Sequence, residues 1–119
     1  MAPKVVIDAP GPNRTFAAGD PILLAGWAAD LDAIAGTGIA TVHVWAYPAS
    51  GGAPTWLGEA SYGGHRPDVG AILGSRFARS GYGLHVRGLE PGDYRLAVFA
   101  WSTAQRRFLP AQVTGIAIR

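Results

Sequence analysis

Leu89-Glu90-Pro91-Gly92-Asp93-Tyr94 is the stretch whose reading decides the fold. Before it, Tyr82, Leu84 and Val86 alternate with Gly83, His85 and Arg87. After it, Tyr94, Leu96, Val98 and Ala100 alternate with Arg95, Ala97, Phe99 and Trp101. A period of two sends successive side chains to opposite faces of a strand. Pro91 and Gly92 interrupt the two runs as turn residues do. The stretch therefore joins two strands, and Tyr94 opens the second.

The same signals recur outward in both directions. Residues 4–8 (KVVID) form a short β-rich run stopped by Pro10-Gly11-Pro12. Residues 21–29 (PILLAGWAA) are a second apolar run, and 30–38 (DLDAIAGTG) read as a long loop. Residues 39–47 (IATVHVWAY) are β-branched and aromatic, the strongest strand in the chain, ended by Pro48. Gly51-Gly52-Ala53-Pro54 makes a hairpin turn, and 55–62 (TWLGEASY) return as one partner strand. Residues 112–118 (QVTGIAI) are the last strand. One segment breaks the pattern. In 66–74 (RPDVGAILG), Pro67 suits a first helical position and Asp68 the positive end of the helix dipole. Val69, Ile72 and Leu73, continuing towards Arg76 and Phe77, recur at spacings of three and four, so a short helix over 67–74 is predicted, closed by Gly74. The expectation is an all-β antiparallel sandwich of about seven strands with one short helix, a single domain over residues 1–119.

Composition agrees. In 119 residues, 49% are hydrophobic and 15% charged, enough for one core and too little charge for a disordered tail. Gly 17 and Pro 9 favour many turns over long helices. The net charge is +2, and the 10 Lys and Arg residues are scattered rather than gathered into a phosphate-binding stripe, so no nucleic-acid partner is expected. There is no cysteine, which excludes disulfides, thiolate metal sites and a Cys nucleophile. No apolar run reaches the ~18 residues of a membrane helix, so no membrane insertion is expected. No signal peptide is visible at Met1-Ala2-Pro3-Lys4. The opening reads as a cut within a longer chain or as a cytosolic protein, and the first is adopted. Arg119, directly after the last strand, fits the same reading.

The segment from Leu89 to Tyr94 resembles the tyrosine corner of immunoglobulin and fibronectin type III sandwiches. In that motif a Tyr early in strand F turns its ring into the core and bonds back to the preceding loop. A plain hairpin with a Tyr at its edge is the alternative. The whole chain is also similar to bacterial Ig-like domains of large exported proteins. The likeness runs through Gly26-Trp27-Ala28, Gly38-Ile39, the stretch from Val42 to Pro48, and Leu57-Gly58-Glu59-Ala60. It continues through Arg66-Pro67-Asp68-Val69-Gly70, Ser80-Gly81-Tyr82, Gly88-Leu89, Pro91-Gly92 with Tyr94, and Val98-Phe99-Ala100. The resemblance implies an Ig-like or fibronectin III-like sandwich, with the short helix between strands C' and E. It implies an extracellular or cell-surface location and carries no catalytic or ligand residues. Structural roles are expected for Tyr94, Leu89, Trp27, Ile72 and Leu73.

The residues of reactive chemistry are sparse. His43, His65 and His85 have no metal-pair spacing. Asp30 and Asp32 could be half of a calcium site, but ion pairing with Arg106 and Arg107 of the F–G loop is the preferred reading. No serine sits in a G-x-S-x-G frame, and there is no P-loop or dinucleotide fingerprint. No catalytic residues, metal or cofactor are therefore expected.

Strands C and F are neighbours in the resembled fold. Its outer face there gathers Trp45, Tyr47, Phe99 and Trp101. Two readings follow. The preferred one covers this face with the helix through Val69, Ile72, Leu73 and Phe77, because an apolar helix face must be buried somewhere. The other leaves the face open as a sugar-stacking platform. The function expected is a non-catalytic structural or interaction module, a spacer or adhesive bead whose partners are neighbouring domains and a protein or polysaccharide. The alternative is a carbohydrate-binding module using the aromatic face.

Overall fold

A computed structural model describes residues 3–119. The strands are β1 (Pro3–Ala9), β2 (Arg14–Phe16), β3 (Ile22–Asp30), β4 (Ile39–Pro48), β5 (Thr55–Glu59) and β6 (Ser61–Gly64). The helix α1 (Pro67–Leu73) is followed by β7 (Gly81–Val86), β8 (Gly92–Ser102), β9 (Arg107–Phe108) and β10 (Gln112–Ile118). One sheet has the order β1-β3-β7-β6. The other runs β2-β10-β8-β4-β5, with β9 also paired to β8. The pairing is antiparallel except between β2 and β10.

The period-two pattern explains the core. Val42, Val44 and Ala46 of β4, Leu96, Val98 and Ala100 of β8, and Ile116 and Ile118 of β10 face inward against Ile22, Leu24 and Ala28 of β3. Fully burying each large aliphatic side chain stabilises the fold by roughly 1.5–3 kcal/mol.

The stretch that opened the reading crosses between sheets. β7 lies in the four-stranded sheet and β8 in the other, so Leu89–Glu90–Pro91 is a crossover and not a plain hairpin. Tyr94 packs against the core edge, and its hydroxyl donates to the Glu90 carbonyl at 2.7 Å. Leu89 packs against the same core. The Tyr94–Glu90 bond is exposed rather than buried. Tyr94→Phe is therefore expected to cost about 1 kcal/mol in urea denaturation, near the middle of the range for a single hydrogen bond. An unchanged midpoint would remove this corner as a stabilising device.

Three expectations are corrected. The 55–62 run is two strands in two sheets. β5 pairs β4, β6 pairs β7, and buried Ala60 marks the switch. Short strands β2 and β9 add to the seven expected. The helix does not cover the β4–β8 face. It packs over the four-stranded sheet, where Val69 and Phe77 close on Ala29 with Trp27, Leu31 and Leu73 around them. The reason is connectivity: β6 and β7 flank the helix in sequence and pair with each other, so a helix between them lies over their own sheet. Ile72, assigned to the lid, is 83% exposed. Arg66 helps set the helix position, donating to Asp8 of β1 at 2.7 Å and to Asp68 at 2.8 Å.

Candidate functional site

With the helix on the other sheet, no element among the described residues covers the outer face of β5, β4, β8 and β9. Register and alternation assemble it. Trp45 stands opposite both Ala97 and Trp56, and His43 opposite Phe99 and Glu59. Thr41 stands opposite Trp101, which pairs with Phe108, and Tyr47 stands opposite Arg95. The rings touch in sequence across the strands. Trp45 and Trp56 have centroids 5.2 Å apart, Trp56 and His43 5.0 Å, His43 and Phe108 4.9 Å, and Phe108 and Trp101 5.1 Å. Phe99 meets Phe108 at 6.4 Å. Such spacings suit edge-to-face aromatic contact, worth about 0.5–1.5 kcal/mol per pair. Trp56 is nevertheless 46% exposed, Tyr47 39% and Phe108 37%, while Trp45, Phe99 and Trp101 are half-buried.

The four residues read from sequence, Trp45, Tyr47, Phe99 and Trp101, thus share one face. The sequence reading missed His43, Trp56 and Phe108. Trp56 could have been found by carrying the β4 register through the Gly51–Gly52 hairpin. Phe108 could not, because its two-residue strand has no period of its own. The polar margin comes from Glu59, which accepts a hydrogen bond from Thr41, and from Arg95.

A second cluster lies where β3 and β8 end. Asp30 is fully buried. Its Oδ2 accepts from Ser102 Oγ at 2.6 Å and from Gln105 Nε2 at 3.1 Å, and its Oδ1 from the Asp32 N–H at 3.0 Å. Ser102 Oγ itself accepts from the Gln105 N–H at 3.0 Å. Burial alone would push this carboxyl up; the hydrogen bonds from Ser102, Asp32 and Gln105 outweigh it and hold it below the usual carboxylate range. The expected ion pairing of Asp30 with Arg106 and Arg107 is replaced. Gln105 comes between, with Arg107 donating to its Oε1 at 2.8 Å. A planar amide both accepts from the guanidinium and donates to the carboxylate, so the two charges need not meet. The cluster ties the loop after β3 to the loop after β8, and its carboxylate is occupied by structural hydrogen bonds.

Among the described residues, no group of three or more His, Asp or Glu side chains is placed to hold a metal ion. No helix among them is long and apolar enough to cross a membrane.

Comparison with solved structures identifies the architecture. Over 94% of this chain and 91% of the other, the domain superposes on a fibronectin(III)-like module of CbhA from Clostridium thermocellum, with a TM-score of 0.55 and 19% identity. The domain is an immunoglobulin- and fibronectin III-like β-sandwich. In that scheme β4 and β8 are strands C and F. A superoxide reductase (neelaredoxin) from Ignicoccus hospitalis aligns over 100% of this chain and 81% of its own, with a TM-score of 0.61 and 14% identity. An engineered protein aligns over 98% of this chain with a TM-score of 0.63 and 16% identity, and this chain spans 20% of its length. At these identities the likeness concerns the fold. No protein-family model matches the sequence, and no curated protein matches it.

Proposed function

We propose that this sandwich is a non-catalytic interaction module of a larger exported bacterial protein, and that it meets its partner through the aromatic outer face of strands C and F. The observation that carries the reading is that no element among the described residues covers this face, although it gathers three tryptophans and two phenylalanines. Contiguous exposed apolar surface with a polar rim marks binding sites, because a soluble monomer otherwise avoids it. Aromatic rings also supply contact area at low conformational cost. The strand directions suit a bead in a series. Pro3 pairs with Asp30 at one pole and Ile118 with Gly92 at the other, so chain attached before β1 and after β10 would leave from opposite poles.

A face kept for a partner can lose its outermost rings without unfolding the domain. Trp56→Ser and Phe108→Ser are each expected to lower stability by only about 1 kcal/mol in urea denaturation, against about 3–5 kcal/mol for truncating a core aromatic. Losses in the core range at both positions would make the rings a second core and remove the case for a binding face.

A further inference from the structure

The geometry points to a single, unpacked polysaccharide chain as the ligand of the aromatic face, held by Trp56 and Phe108 on either side of His43. This inference rests on the interaction reading above and adds the class of partner.

Three features select that class. The first is placement. Trp56 and Phe108 are the most exposed of the rings that touch one another on this face, and both sit about 5 Å from the His43 ring between them. Two stacking surfaces flanking a hydrogen-bonding imidazole match a chain of pyranose rings, each with apolar C–H faces and a hydroxyl-lined edge. The second is tilt. The His43 plane makes 80° with Trp56 and 48° with Phe108, so those two rings cannot be parallel. Trp45 and Trp56 meet at 63°, and Trp101 and Phe108 at 84°. A crystalline polysaccharide surface needs a flat shelf of coplanar rings, whereas a free chain can twist from one tilted ring to the next. The third is size and charge. Four strands about 4.8 Å apart and about 20 Å of strand length give roughly 400 Å² of face. A stable protein partner or a second copy of this domain takes about 800 Å² per side. Glu59 offsets Arg95 at the margin, so the face lacks the basic groove that tracks a nucleic-acid backbone.

Affinity electrophoresis in native gels tests this, with hydroxyethylcellulose, glucuronoxylan, galactomannan and mixed-linkage β-glucan as soluble probes. A parallel pull-down uses microcrystalline cellulose. At least one soluble chain is expected to retard the domain. Trp56→Ala and Phe108→Ala, each checked for a native melting profile, should weaken that retardation about tenfold, as loss of one stacking surface implies. Microcrystalline cellulose should leave the domain in the supernatant. Failure of all four chains to retard it overturns the inference, as does retardation that both variants retain or stronger binding to the crystalline solid. Sedimentation equilibrium and a single-stranded oligonucleotide gel shift separate that failure from failure of the interaction reading. Self-association or DNA binding lost in Trp56→Ala would sink the polysaccharide while keeping the face as a binding surface.

Discussion

Gly26→Ala is expected to destabilise the domain by about 3 kcal/mol or more, a large part of a small domain's total stability. Gly26 lies in the middle of β3, between Ile7 of β1 and Tyr82 of β7. The Tyr82 ring is buried, and its hydroxyl reaches past Gly26 to donate to the Val6 carbonyl at 2.7 Å. A methyl group at position 26 would stand 1.9 Å from the Val6 carbonyl oxygen and 2.7 Å from the Tyr82 hydroxyl. The first contact is with backbone, so no rotamer change relieves it, and β1 must leave its register. Tyr82→Phe removes only the second contact and should not rescue the variant. Gly11→Ala is the control. A methyl group there meets nothing within 4 Å, and stability should stay within about 0.5 kcal/mol of the parent. A Gly26→Ala protein as stable as the Gly11→Ala control would contradict the close approach of β1 to β3.

Asp30→Asn should cost about 2–4 kcal/mol at neutral pH, although the two side chains have the same shape. Asp30 accepts from three donors. An amide offers one acceptor atom and turns its NH₂ towards the other donors. With the amide oxygen in the Oδ2 place, the NH₂ meets the Asp32 N–H; with it in the Oδ1 place, the NH₂ meets the Gln105 amide N–H. One donor is left facing another in a buried site. The pH dependence has a definite sign. The Asp30 carboxyl is held below its ordinary value in the folded state, so the unfolded chain takes up this proton first as pH falls. Its contribution is complete above the ordinary carboxylate value of about 4 and disappears as pH drops through the lower folded value. The gap between parent and Asp30→Asn should therefore be constant from about pH 5 to pH 8 and narrow only below about pH 4. Urea midpoints across that range read it directly. A gap already closing at pH 6 would mean that the carboxylate is not stabilised in its charged form.

How much of this was legible in the sequence depended on the distance between partners. Tyr94 and Glu90 are four residues apart, and the alternation on either side of Pro91-Gly92 made their crossover readable. The helix bounds were readable too, since Pro67 is a local start signal and Gly74 a stop signal. Where the helix docks was not. Its apolar positions match the β4–β8 aromatics as well as they match Trp27 and Ala29, and only the division of residues 55–62 into β5 and β6 decides between the sheets. That division turns on Ala60, which has no turn chemistry to announce it. The Tyr82–Val6 bond spans 76 residues and the Asp30–Ser102 bond 72, beyond any local pattern. On the aromatic face, alternation placed Trp45, Tyr47, Phe99 and Trp101 together. Adding Trp56 required carrying register across the hairpin into β5, and Phe108 sits in a two-residue β9 with no period of its own.

The central claim is that the outer face of strands C and F is open. Iodide quenching of tryptophan emission in a Trp27→Phe variant tests it most directly, because Trp27 lies under the helix on the other sheet while Trp45, Trp56 and Trp101 all belong to the aromatic face. The account predicts a folded protein whose remaining emission is red-shifted and substantially quenched by iodide, with Trp56 dominating the quenched fraction. Blue-shifted emission that iodide leaves untouched would mean that the face is covered, and would contradict the account.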